Sequence, residues 1–294
     1  MKELFPFYTI GHFINQPANP TAFEVLRFED MEEPDVEDLH KHTFYEILWF
    51  EAGESRQTID YQEYHIQPQT LFFISPGQLH RFEEWQPLKG GSILFTEDFV
   101  TFNRQNKDSL FELSFLDNLY AVPFLTLDIG TFQEIKQTIV LIIKEKQRVD
   151  YIPGIVQSLL HILLTQIQRC INIQNLSNSP KRYIVLYKQL KFLIDQHFHE
   201  PLTASDYAER MFITQHHLNL IAKQVTGKTT SELIRARNIL EAKRLLTFSD
   251  ATVSEIAAEL SFFDLSYFSK VFRAETGMSP MVFKKLMSEK YPNR

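Results

Sequence analysis

At 294 residues, 44% of them hydrophobic, the chain has an ordinary globular composition but is too long for one core, so two domains are expected. A single cysteine excludes an intrachain disulfide, no apolar run has the length to span a bilayer, and a start without an apolar signal core, MKELFPFYTI, points to the cytoplasm. The net charge of −7 is uneven: 17 Lys and Arg stand against 12 Asp and Glu from Lys181 onward, and 13 against 25 before it, so the C-terminal part suits an anionic partner.

Up to about Thr126 the chain reads as strands. YEILWF, QTIDYQEYHI, TLFFIS and GSILF are short runs rich in aromatic and β-branched residues. Evenly spaced short strands without helices between them predict an antiparallel β-barrel or jelly roll. Phe44, Tyr45, Trp49, Phe50, Phe72 and Phe73 are the aromatic candidates for its interior, although one step of register inverts the face. In the stretch HKHTFYEILWFEAG, His40, His42 and Glu46 share one face of a strand, which is how three metal ligands would be arranged. Later, ISPGQLH brings in His80 after a Pro-Gly turn. These two segments resemble the cupin motifs, His-x-His, three residues, Glu, six residues, Gly, and then Pro-Gly before a final His. The resemblance implies that His40, His42, Glu46 and His80 face the barrel interior. There they either ligate an Fe, Mn, Ni or Zn ion or hydrogen-bond a small molecule. Gly90-Gly91 lacks the lysine and spacing of a phosphate loop.

Two helices follow. In FQEIKQTIVLIIKEKQRV, Phe132, Ile135, Ile139 and Ile142 recur at helical spacing. The second, GIVQSLLHILLTQIQRCI, is apolar over most of its girth, so it either caps the barrel with its neighbour or also meets a second copy in a homodimer. Cys170 near its end reads as a buried, inert thiol. NIQNLSNSPKR, from Asn172 to Arg182, is polar and without periodicity; it reads as a linker between a domain of residues 1–175 and one of residues 183–294.

Beyond the linker every segment reads as helix, and the chain repeats itself. YAERMFITQHHLNLIAKQVTGKTTSEL from Tyr207 aligns with IAAELSFFDLSYFSKVFRAETGMSPMVF from Ile256. The simplest account is two helix–turn–helix units, about 203–226 and 252–276, joined by a helix of about 230–247. Leu202, Tyr207, Ala208, Met211, Ile213, Leu218 and Ile221 make the first small core; Val253, Ile256, Ala257, Leu260, Phe262, Phe268, Val271 and Phe272 make the second. Thr203, Thr214, Ser254 and Asp264 are the expected N-caps. The faces opposite those cores carry Gln215, His216, Asn219, Leu220 and Lys223 in the first unit, and Leu265, Ser266, Ser269, Lys270 and Arg273 in the second. Such side chains can read base edges and hold phosphates. A joining helix of about 17 residues spans roughly 25 Å, enough to set two reading helices near successive major grooves. The fold class is therefore α+β and multidomain, a barrel with two helices followed by an all-α double helix–turn–helix.

ILEAKRLL at Ile239–Leu246, TVSEIAAELSFFDLSYFSKVFRAETGMSP at Thr252–Pro280 and the copy before them resemble the AraC/XylS family of transcription regulators, over about Lys188 to Lys285. The resemblance implies sequence-specific binding of double-stranded DNA, with base-facing positions at His216, Asn219 and Leu220, then Leu265, Ser266, Ser269 and Lys270. It also implies a small-molecule effector in the barrel, a homodimer, contact with RNA polymerase, and no enzyme activity. Barrels of this family commonly keep the His and Glu positions without a metal, so no cofactor is expected; a cupin metalloenzyme or metal sensor fused to a DNA-binding domain is the alternative. Ser261 stands where the family usually has Gly, Phe283-Lys284 replaces a common Tyr-Arg, and Leu220 takes the place of a polar reader.

Overall fold

The computed structural model describes residues 7–18, 20–31, 39–82, 88–101, 113–116, 123–175 and 181–290. The chain divides into two compact units, Phe5–Ser177 and Asn178–Arg294. The first contains β1 (Phe7–Tyr8), α1 (Ile10–Phe13), β2 (Phe23–Arg27), β3 (Lys41–His42), β4 (Tyr45–Ala52), β5 (Ser55–Ile59), β6 (Gln62–Ile66), β7 (Thr70–Ile74), β8 (His80–Phe82), β9 (Lys89–Phe95), α2 (Glu97–Thr101), β10 (Phe124–Thr126), α3 (Ile129–Lys146) and α4 (Pro153–Asn175). Five strands pair in the order β10-β7-β4-β9-β2 and three in the order β6-β5-β8, all antiparallel.

The inner strands β4, β7 and β9 of the larger sheet are buried on both faces, which is why they read as largely apolar runs. Ile47, Trp49, Leu71, Phe73, Ile93 and Phe95 meet the inner faces of α3 and α4, where Phe132, Ile135, Ile139 and Ile142 pack with Val156, Leu160, Leu163 and Leu164. Leu48, Phe50, Phe72 and Ile74 face the smaller sheet, packing on Ile59 and Ile66. Pairing register divides the six aromatics expected inside. Phe50 and Phe72 are interior, Trp49 and Phe73 point at the helices with Tyr45 beside them, and Phe44 joins a small cluster with Ile10 and Leu94. Cys170 is buried on the inner face of α4, and burial pushes its thiol above the ordinary value, as befits an inert side chain.

QTIDYQEYHI is not one strand but the hairpin β5–β6. Asp60 and Tyr61 form its two-residue turn, both at positive φ (45° and 73°). Without the usual Asn-Gly, nothing in the stretch announces a turn. Gly90 and Gly91, in contrast, are demanded by packing: a Cβ on either would lie 2.0 Å from a carbonyl oxygen, of Trp49 or of Leu26. α4 runs on to Asn175 and α5 begins at Lys181, so less of 172–182 is available as linker than its composition predicts.

The second unit is helical: α5 (Lys181–His197), α6 (Ala204–Arg210), α7 (Gln215–Thr226), α8 (Thr230–Phe248), α9 (Val253–Glu259), α10 (Leu265–Thr276) and α11 (Pro280–Lys290). Thr203, Thr214 and Asp264 cap α6, α7 and α10. The cap of α9 is Thr252, not Ser254, because Glu255 lies three residues on and closes a capping box: its carboxylate accepts from Thr252 N at 2.6 Å while Thr252 Oγ1 accepts from Glu255 N at 3.2 Å. Gly227 and Gly277 end α7 and α10 in the left-handed conformation. Tyr207, Ala208, Leu218 and Ile221 are buried in the first copy; Ile256, Ala257, Leu260, Phe268, Val271 and Phe272 in the second. Leu202, Met211, Ile213, Val253 and Phe262 are only half-buried. Phe283 is buried edge-on to Phe272, and Lys284 donates to Ala251 O at 2.7 Å.

A buried ionic network ties α5 to α8. Arg237 donates to Asp195 (2.8 Å) and Glu241 (3.0 Å) and lies over the Phe198 ring at 3.9 Å, and Arg244 donates to Glu241 at 3.2 Å. Arg237, Glu241 and Arg244 pair at helical spacing along α8, but nothing in the local sequence pairs them with Asp195, which stands 42 residues from Arg237.

Candidate nucleic-acid interface and effector site

Each helix–turn–helix presents a face its core does not use. On α7, Leu218, Ile221 and Ala222 point inward, leaving Gln215, His216, Leu220 and Lys223 exposed. On α10, Phe268, Val271 and Phe272 point inward, leaving Leu265, Ser266, Lys270 and Arg273 exposed, with Ser269 half-buried. Tyr267 is also exposed, flanking Ser266, a position that core spacing alone does not single out.

Asn219 is different. It is half-buried, and its Oδ1 accepts from Thr230 N at 3.1 Å. Thr230 is the first residue of α8, so its N–H has no partner within that helix. Asn219 therefore straps the first recognition helix to the start of the joining helix. The matching positions Phe212 and Ser261 occupy left-handed backbone (φ 55° and 59°) in the two turns. Ser261 takes this conformation in place of glycine, and its hydroxyl donates to His199 O at 2.7 Å.

The structure brings His40, His42, Glu46 and His80 together on one inner face of the first unit. His40 and His80 exchange backbone hydrogen bonds at 3.1 Å, and Gly77 N donates to His42 O at 2.9 Å, so the Pro76-Gly77 turn pins β8 against β3. The His42 ring stacks on Phe44 with centroids 4.0 Å apart. All four side chains are buried. Nε2 of His42 and of His80 lie 3.5 and 3.7 Å from Glu46 Oε2. His80 Nδ1 lies 3.3 Å from Gln78 O. With Nδ1 donating there, the Nε2 lone pair turns toward the cluster. Burial, reinforced by repulsion from His40 and His42, holds the His80 pKa well below the usual histidine range, so its ring is neutral near pH 7.

The donor set suits a metal ion. Ligand atoms about 2.1 Å from one ion lie roughly 3.4 Å from one another, near the separations seen, and the donors of His42, Glu46 and His80 all fall within 4.8 Å of one another. Neither His42 ring nitrogen makes a hydrogen bond among the described residues. His40 stands at the rim of this group, its ring centroid 4.3 Å from that of His80.

A family model described as an AraC-like ligand binding domain matches residues 24–157, and one described as a helix-turn-helix domain matches residues 207–286. The two spans enclose the inner-face cluster and both recognition helices. The HTH-type transcriptional regulator YfiF of Bacillus subtilis (strain 168) is 26% identical over 262 residues, covering 85% of this chain and 80% of that one. The HTH-type transcriptional activator RhaS of Salmonella schwarzengrund (strain CVM19633) is 25% identical over 248 residues, covering 82% and 85%. Among solved structures, ToxT from Vibrio cholerae strain SCE256 with bound unsaturated fatty acid matches 90% of this chain and 96% of its own, at 15% identity and a TM-score of 0.40. The DNA-binding domain of AdpA in complex with a target DNA matches 37% and 97%, at 23% identity and a TM-score of 0.35. A ligand-binding β domain followed by a double helix–turn–helix is the make-up of a DNA-binding transcription regulator. This chain belongs to the AraC/XylS family of such regulators.

Proposed function

We propose that the chain is a one-component regulator in which a small molecule bound at the inner face of the first unit controls sequence-specific binding of double-stranded DNA by α7 and α10. The observation that carries this reading is the matched exposure of two recognition faces, each backed by its own core. His216, Leu220 and Lys223 with the free amide of Asn219, and Leu265, Ser266, Ser269, Lys270 and Arg273, are the DNA-contacting residues. Leu220 and Leu265, both exposed, press on thymine methyl groups instead of hydrogen-bonding. Effector control requires the ligand to bind two states of the protein with different affinity. The protein acts in the cytoplasm, with RNA polymerase as a further partner and no catalytic role; among the described residues no helix is long and apolar enough to cross a membrane. Selection of duplexes from a random pool tests the reading: a recurring motif is expected, bound less tightly as salt rises, and enrichment of no motif contradicts it.

A second copy fits the outer face of α4. Ile155, Leu159 and Ile162 recur there at i, i+4 and i+7, and Ile155 and Ile162 are exposed. A second reading of the inner face, a metal sensor or metalloenzyme, is favoured by the donor geometry of His42, Glu46 and His80. A bound ion of the zinc or iron class would supply Lewis-acid coordination to a ligand oxygen. Elemental analysis of the purified protein decides: one equivalent of metal, lost on His42→Ala, supports it, and metal-free protein that binds its motif normally removes it.

A further inference from the structure

Gln57 lies in the middle of β5 and is fully buried, yet neither its Oε1 nor its Nε2 has a hydrogen-bond partner among the described residues. It shares a strand face with Ile59, which packs in the interior between the two sheets. Its cross-strand neighbours are Tyr64 on β6 and Phe82 on β8, and Ile59 pairs with His80, so the amide sits one side-chain step from the histidine cluster on the same face. The surroundings are aromatic: Phe28, Phe50 and Phe82 follow one another with centroids 5.6 and 6.0 Å apart, and Tyr64 stands edge-on to Phe72.

A buried amide stripped of water and left unpaired destabilises a core relative to leucine or methionine of similar volume. Folded proteins seldom keep such a group unless something else completes its bonds. We propose that Gln57 is an effector-recognition residue, and that the effector is an uncharged molecule with a hydrogen-bond donor and acceptor side by side, a carboxamide or lactam, on a flat apolar body. The amide side chain offers one donor group and one acceptor, so its complement carries both. A carboxylate ligand is disfavoured because the buried Glu46 lies on the same inner face. The aromatic side chains packed around it match a ring-sized apolar body. The proposal rests on the reading of the first unit as an effector-binding domain.

Thermal unfolding of the full-length chain tests it, with wild type, Gln57→Leu and Gln57→Met compared alone and with millimolar benzamide, 2-piperidone, benzoate or valerate. Without probe, the better-fitting of the two variants melts above wild type, because the unpaired amide is gone. At least one uncharged probe raises the wild-type midpoint, neither acid does, and both variants respond at least tenfold more weakly. Variants that both melt no higher than wild type, as they would if ordered water satisfies the amide, overturn the proposal. So does stabilisation by the acids, by neither uncharged probe, or by the same probe equally in variant and wild type. A probe that stabilises through Gln57 but leaves duplex affinity unchanged supports the site and counts against effector control of DNA binding.

Discussion

Asn219 and Lys270 lie on the helix faces proposed to read DNA but are held differently. Asn219 is strapped by its carbonyl to Thr230 N, so Asn219→Ala removes the partner of an otherwise orphaned helix donor, a loss of about 1 kcal/mol. Asn219→Asp keeps the acceptor and sits well at the start of α8, but brings negative charge toward phosphate. The expected outcome is near-wild-type melting for Asn219→Asp with weakened DNA binding, and both losses for Asn219→Ala; equal melting of the two variants contradicts the strap. Lys270 is exposed, so Lys270→Ala leaves the melting curve in place and weakens specific binding by about 1–3 kcal/mol in a fluorescence titration. At this scale the sequence is an uneven guide. The spacing of His40, His42, Glu46 and His80 can be read as a set because strand periodicity and the Pro-Gly turn put them on shared faces. Gln57 and the Asn219 strap cannot, because a missing or borrowed partner is a property of tertiary packing.

Helix ends and turns make the next set of tests. Asp206, Glu232 and Glu255 close capping boxes with Thr203, Thr229 and Thr252, and hydrogen bonds from those threonines hold each carboxyl below the usual carboxylate range. A depressed folded-state pKa contributes stability that is complete above the unfolded value, about 4, and lost as pH falls through the folded one. The helical unit should therefore hold its melting point from pH 7 to 5 and lose it progressively below about pH 4, by circular dichroism. A triple variant with glutamine or asparagine at these positions should flatten part of that slope, the remainder belonging to Glu200 and to the carboxylates paired with Arg237 and Arg244. Phe212 holds a left-handed conformation with an exposed ring, so Phe212→Gly should stabilise the unit by about 1 kcal/mol. Ser261→Gly should gain less, because it also gives up the hydrogen bond to His199 O. In contrast, Phe272→Ala empties a core position at a cost of about 3–5 kcal/mol and should unfold the second helix–turn–helix. The helices are legible in sequence because their apolar spacing, caps and terminal glycines agree. The β5–β6 hairpin is not, because Tyr61 holds the left-handed turn position where glycine is usual.

In the proposed reading the two units divide recognition between them: an inner face rich in aromatic and imidazole groups in the first, and polar helix faces carrying Lys223, Lys270 and Arg273 in the second. The charge asymmetry of the sequence foreshadows that division without locating either site. Self-association belongs to the same scale. Replacing Ile155 and Ile162 with glutamate should convert a dimer to monomer in sedimentation velocity while leaving the melting point of the first unit within a few degrees, since neither side chain is in the core. A wild-type chain that sediments as a monomer at micromolar concentration rules that interface out. The most direct test of the whole account is the ratio of affinities for a selected duplex and for its scrambled sequence at physiological salt. Two working recognition helices predict a preference of about 10³-fold or more, reduced about 5- to 150-fold by Lys270→Ala; equal affinity for the two duplexes would contradict it.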